Sequence, residues 1–246
     1  MDAMTSEPLA GYREIWSRKP TLRTVYDDFY DRIAAACRPG LTIEIGGGIG
    51  NLKDRLPDVF ATDIQPAPWL DCAADAQRLP FASGRLANIV MVDVLHHLQS
   101  PLRFFREAAR VLGEGGRVLM VEPAITWGST LFYRLLHHEP VRTSIDPLAD
   151  EMPLSGRDPY DANQAIPTLL ATRERARFHL VLPELRISRV EWFALAVYPL
   201  SGGFKPWSLI GPAAARRLLD IERAVEPVVG RWIAFRVMLT VEKASS

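Results

Sequence analysis

A chain of 246 residues, 48% of them hydrophobic, has apolar material for one α/β domain or a domain with a cap. Its 29 lysines and arginines equal its 29 aspartates and glutamates, which argues against a nucleic-acid partner, because phosphate binding calls for a basic excess. Two distant cysteines, Cys37 and Cys72, make neither a disulfide framework nor a CxxC pair, and no apolar run nears the roughly 20 residues of a membrane span. Met1 to Pro8 is polar and acidic, unlike a secretory leader. The expected compartment is therefore the cytoplasm, with no integral membrane segment.

Gly11 to Cys37 reads as helix, with Tyr12, Trp16, Tyr26, Phe29, Tyr30 and Ile33 on its apolar side and a stop at Arg38-Pro39-Gly40. Leu41 to Ile45 is a short apolar run with one acid, expected as the first core strand. A helix is expected to begin at Asn51 to Leu56, and a second strand at Asp58 to Asp63. Ala87 to Val94 is almost unbroken apolar sequence, as in a strand covered on both faces. Ser100-Pro101 opens a helix whose Leu102, Phe105, Ala109 and Leu112 share one face. Gly113 to Gly116 ends it, and Arg117 to Val121 is the next strand. Strand and helix in alternation mean a parallel sheet with right-handed crossovers.

That rhythm then breaks. Pro123 to Pro183 holds no long apolar strand, and Glu139 to Pro167 carries six acids against two arginines, with many prolines. An inserted helical cap fits this stretch. Strand character returns at Arg186 to Tyr198, a helix fits Pro212 to Ala224, and Arg231 to Val241 is a last strand. The expected fold is α/β: a Rossmann-like, doubly wound, mainly parallel seven-stranded sheet with an antiparallel edge strand. The expected divisions are an N-terminal helical lid (1–40), a core (41–123), the cap or substrate region (124–184), and strands and a helix completing the sheet (185–246).

The most informative stretch is Ile43-Glu44-Ile45-Gly46-Gly47-Gly48-Ile49-Gly50-Asn51. A glycine turn from strand to helix lets a ligand approach the main chain and meet free N–H groups. The dinucleotide pattern GxGxxG would need glycine where Asn51 stands, and the GK[ST] of a phosphate loop is absent. What is present is E-x-G-x-G-x-G. Over Leu41 to about Pro123 the chain resembles the class I S-adenosylmethionine-dependent methyltransferases, close to the methyltransferase type 11 and ubiquinone/menaquinone methyltransferase-like group. The resemblance implies S-adenosylmethionine (SAM) as cofactor. It places Gly46, Gly47, Gly48 and Gly50 along the methionine part and Glu44 beneath it. It gives Asp63, nineteen positions after Glu44, to the ribose hydroxyls with Ile64 beside it, and Asp75-Ala76 to the adenine. Asp93, opening the segment Asp93 to His97, flanks the methionine and faces the acceptor. A sulfonium ligand without phosphate suits carboxylates better than an arginine clamp. Each acid taken alone also reads as a helix cap or a surface charge.

Four of the five histidines form the adjacent pairs His96-His97 and His137-His138. The first pair follows the fourth strand and the second lies in the cap, so both are candidates to overlook one crevice as general base or acceptor contact. Simple helix packing stands beside that reading. Metal binding is the third reading, since His/His/Glu is a usable ligand set, but adjacent histidines on a helix point about 100° apart and seldom share an ion, so no metal ligand is assigned. Tyr12, Trp16, Trp127, Phe132, Tyr133, Phe204 and Trp207 are candidate walls for a flat or lipid-like acceptor, with core packing as the plainer alternative. No NPPY-type tetrad for base amino-methylation is present. The expected function is methylation of a small-molecule or lipid-like acceptor at oxygen or carbon, by a monomer or homodimer. An NAD-dependent oxidoreductase and a non-catalytic SAM-binding protein remain the alternatives.

Overall fold

The computed structural model describes residues 7–136, 140–150 and 162–244. Seven strands form one sheet in the order β3-β2-β1-β4-β5-β7-β6. They are β1 (Thr42–Ile45), β2 (Phe60–Asp63), β3 (Cys72–Ala73), β4 (Leu86–Val92), β5 (Leu112–Pro123), β6 (Leu185–Phe193) and β7 (Arg236–Lys243). β1 to β5 pair in parallel, whereas β7 runs antiparallel to both β5 and β6. The expected mixed sheet is present, with its antiparallel strand one place in from the edge.

Helices cover both faces. They are α1 (Glu7–Arg18), α2 (Pro20–Ala36), α3 (Pro101–Val111), α4 (Trp127–Leu136), α5 (Ala165–Ala171), α6 (Arg175–Val181), α7 (Val197–Ser201) and α8 (Pro212–Ile233). β4 shows why two layers are needed. Ile89 and Met91 pack with Phe105, Leu170 and Phe178 on one face, while Val90 packs with Phe29, Phe193 and Leu219 on the other. Successive strand residues point to opposite faces, so an unbroken apolar run requires cover on both.

Several elements differ from the sequence expectation: β3 is not among the expected strands, and β5 takes in Gly113 to Gly116, expected as the turn after α3. The N-terminal helix is two, because Pro20 has no N–H to continue the first and instead opens the second. The helix after the glycine turn is a single 3₁₀ turn, Asn51–Asp54, since Pro57 and the start of β2 leave it no length. β6 stops at Phe193, and the residues toward Tyr198 enter α7. α8 runs through Pro227 to Ile233 and takes three residues expected as strand. Its grip on residues 194–197, which link β6 to α7, accompanies the extension. The buried Glu222 carboxylate accepts from Leu195, Ala196 and Val197 N–H groups, and Glu226 accepts from Ala194 and pairs with Arg32.

Gly230 lets α8 lie flat on β6. An added Cβ there would stand 2.4 Å from the Trp192 carbonyl oxygen. Backbone would have to move, so Gly230→Ala is expected to cost about 1–3 kcal/mol in denaturant unfolding. An unchanged midpoint would contradict the tight packing.

Candidate functional site

β1, β4 and β5 end side by side, with Ile45 opposite Met91 and Met91 opposite Met120. Chain order reverses between β1 and β4, and such a switch point leaves a crevice beyond the strand ends. Three loops open into it. After β1 comes the glycine turn, with Gly46, Gly48 and Gly50 at φ of 70°, 47° and 76°. This left-handed backbone is costly for residues with a Cβ. Gly46 also has no room, because a Cβ would lie 2.2 Å from a methyl of Val94. The Asp63 carboxylate, at the end of β2, accepts from Gly48 N–H at 2.9 Å and from Gln65 N–H at 2.9 Å. Trp69 donates its indole N–H to the Gly48 carbonyl at 2.7 Å, and the Arg13 guanidinium lies 4.0 Å over its ring.

Glu44 lies beneath the turn, 3% exposed, and its Oε2 has no hydrogen-bond partner among the described residues. Burial, with the Asp63 charge nearby, pushes its carboxyl up to about 8. An acid so placed is poised to meet a cationic or hydrogen-bond-donating ligand group. Its ionisation opposes folding. Because its folded value lies above the ordinary one, the stability tied to the neutral form is full in acid and is lost as pH rises toward and through about 8. Glu44→Gln is therefore expected to flatten the fall in melting temperature between pH 6 and pH 9. Parallel profiles for the two proteins would refute this.

The second loop follows β4. Asp93 has φ of 58°, and its carboxylate pairs with Arg236 on β7 and receives the Tyr26 hydroxyl at 3.4 Å. His96 and His97 lie in a 3₁₀ turn, Leu95–His97, with ring centroids 4.1 Å apart. The third group is Glu122, near the end of β5 and fully buried. Its Oε1 accepts from Val94 and Leu95 N–H at 2.9 and 2.7 Å, and its Oε2 lies 2.6 Å from His96 Nδ1. One carboxylate thus holds both the turn and the imidazole. Asp93, His96 and Glu122 bring ligand-type atoms within 4.8 Å of one another. Each is already engaged, and the Arg236 guanidinium supplies positive charge there.

These groups share a cavity of about 840 Å³, toward the upper end of the roughly 300–1,000 Å³ usual for small-molecule sites. Glu44, Gly46, Gly47, Gly48, Asp63 and Ile64 line one part, and Asp93, His96 and His97 line another. Gly50, Asp75 and Ala76 are not among its lining residues. Asp75 is exposed and accepts from Gln77 N–H at 2.8 Å. His137 and His138 lie outside the described residues.

Of the aromatic candidates, Tyr12, Phe132, Phe204 and Trp207 reach the cavity. Trp127 is 89% exposed and Trp16 packs against Tyr26, and neither is a lining residue. The Tyr133 side chain is not described. Lys19, between α1 and α2, fastens the rim by donating to the Gly203 and Lys205 carbonyls at 2.6 and 2.8 Å. Sequence reasoning missed Glu122, Arg236 and Trp69. Only Glu122 left a signal: an acid embedded in apolar strand sequence must have a buried partner.

Residues 43–120 match a family described as "Methyltransferase domain". Over that stretch the chain carries a methyltransferase-type domain, and its sheet has the class I methyltransferase fold. Domains of this type bind SAM and transfer its methyl group. Among solved structures, the chain is similar to the [4+2]-cyclase SpnF, with 16% identity, 89% of this chain and 82% of that one covered, and a TM-score of 0.51. It is also similar to a SAM-dependent methyltransferase from Archaeoglobus fulgidus, at 11% identity, 90% and 94% coverage and a TM-score of 0.50. A shorter match takes in 46% of this chain and 59% of a Thermotoga maritima SAM-dependent methyltransferase, at 19% identity and a TM-score of 0.41. These likenesses concern the fold. No curated protein matches the sequence.

Proposed function

We propose that the methyltransferase acts on a small-molecule or lipid-like acceptor, at oxygen or carbon, with His96 as general base. The observation that supports this best is the shared cavity, in which the glycine turn and Asp63 stand at one part, His96 at another, and Tyr12, Phe132, Phe204 and Trp207 complete the walls. The residues fit the cofactor. The unpartnered Glu44 oxygen and Gly48 N–H would hold its amino-acid end, and Asp63 its ribose, exchanging the present contact with Gly48 for sugar hydroxyls. Gly46, Gly47 and Gly50 keep the turn narrow, and Ile64 lies beside the sugar. Asp75 and Ala76 are assigned to the adenine on the resemblance alone.

When bound, SAM supplies an electrophilic methyl group. The chain's task is to place an acceptor in line with it, which in good intramolecular analogues contributes roughly 7–11 kcal/mol. Glu122 holds the His96 ring through Nδ1, and in this reading Nε2 has the task of taking a proton from an acceptor hydroxyl. Asp93, held by Arg236 and Tyr26, borders the same space. His97, and His137 and His138 from the cap, remain further candidates for acceptor contact.

The test is transfer of labelled methyl from SAM to a panel of phenols, sugars and quinone-like lipids. Transfer to a flat or lipid-like member is expected, with turnover cut more than cofactor affinity in His96→Ala. Tight SAM binding without transfer to any member would favour a cofactor-binding protein.

A further inference from the structure

α8 carries a second feature, on its solvent side. Twelve large hydrophobic side chains are exposed among the described residues, and five of them, Ile221, Val225, Val228, Trp232 and Ile233, lie on this helix. Ile221, Val225, Val228 and Trp232 follow at spacings of four, three and four. At 100° per residue they fall in an arc of about 60°. The opposite side of the helix is occupied: Ala215, Leu219, Glu222, Glu226 and Gly230 are buried against the domain. The stripe is therefore additional to the face that folds the protein. It continues onto α4, because Gly128 sits against Ile233 and the neighbouring Trp127 is 89% exposed.

Its charged border is one-sided. The exposed ionisable residues of α8 are Arg216, Arg217, Arg223 and Arg231 against Asp220 alone. Arg223 is tied to Asp28, but Arg216, Arg217 and Arg231 make no ion pair among the described residues. Arg217 and Arg231 both lie along one side of the stripe on the helical wheel, and the Arg231 guanidinium stands 5.5 Å over the Trp232 ring. A second copy of this helix packed on the stripe would bring arginines against arginines. An apolar strip with tryptophan at its end and an arginine border instead matches a boundary between anionic headgroups and acyl chains. The occupant also lies close to the cavity walls, since Phe132 belongs to α4 and Tyr198 and Pro199 to α7, and both helices pack on α8.

We propose that the outer face of α8, with Trp127, docks the protein on the surface of an anionic lipid bilayer without crossing it. No described helix is long and apolar enough to span a membrane. The inference does not depend on the identity of the methyl acceptor.

The experiment is co-sedimentation of the full-length protein with vesicles of phosphatidylcholine alone and of phosphatidylcholine mixed with phosphatidylglycerol. Binding to the mixed vesicles, weakened by salt, is expected. Arg217→Glu and Arg231→Glu should each weaken it by about fivefold or more. Trp232→Glu and Val228→Glu should weaken it by about tenfold or more, with melting temperatures and SAM affinity unchanged because these side chains are exposed. Failure to bind mixed vesicles would overturn the proposal, as would binding indifferent to all four substitutions. Light scattering that shows a dimer split by Val228→Glu would assign the stripe to self-association instead. Retention on polyglutamate, but not on vesicles, would assign it to an acidic protein.

Discussion

Glu122→Gln is expected to lower methyl transfer by about 10²- to 10⁴-fold, the range general-base catalysis commonly provides, while leaving the fold and SAM binding nearly intact. The carboxylate accepts at both oxygens: Oε1 from Val94 and Leu95 N–H, Oε2 facing His96 Nδ1. A glutamine keeps the first role and reverses the second. Its amide donates to Nδ1, so the imidazole proton moves to Nε2, the nitrogen that must be bare to receive the acceptor's proton. Nitrogen NMR of labelled histidine reads this tautomer directly and needs no acceptor. Glu122→Ala should do different damage, stranding two buried N–H groups and the ring. That predicts a stability loss of about 2–5 kcal/mol. Full turnover in Glu122→Gln, or an unchanged His96 tautomer, would remove Glu122 from the positioning role.

Gly46→Ala should lose about 2–5 kcal/mol, split between stability and cofactor affinity. Two costs add. Left-handed backbone with a Cβ costs roughly 1–2 kcal/mol, and at 2.2 Å from the Val94 methyl the new atom forces one of the two loops to move. A double-mutant cycle separates them. Val94→Ala should relieve the crowding and leave the backbone strain, so Gly46→Ala/Val94→Ala is expected to recover part of the melting temperature and of the affinity for S-adenosylhomocysteine measured by calorimetry. Additive losses would mean that the two side chains do not meet.

Much of the core was legible because its signals are local. A strand covered on both faces must be apolar throughout, and residues 86–92 are nearly so. Ser100-Pro101 marks a helix start in two residues, and the Ser100 hydroxyl does accept from Arg103 N–H. Gly48 of the glycine turn and Asp63 lie fifteen residues apart in sequence and meet across one strand pair. What escaped depends on distant partners. Arg236 meets Asp93 from 143 positions away, and nothing in Phe235-Arg236-Val237 distinguishes it from the edge of a strand. The run of α8 past Pro227 depends on Glu222 and Glu226 gripping residues 194–197. Their sequence neighbours reveal none of this. Trp127, an aromatic in an apparent cap, is by sequence a candidate for a pocket wall or for core packing, but the start of α4 turns it outward.

The placement of β7 has a consequence for biosynthesis. It lies between two strands that precede it in the chain, so β6 has no partner in the sheet until β7 arrives. A nascent chain whose residues beyond 235 are still within the ribosome can arrange the glycine turn, yet it leaves the Val118–Val121 flank of β5 unpaired. It also lacks Arg236, the countercharge of Asp93. Cofactor recognition and a finished reaction chamber are thus separated in time during synthesis, and the interval between them is when the polypeptide is most exposed to mispairing.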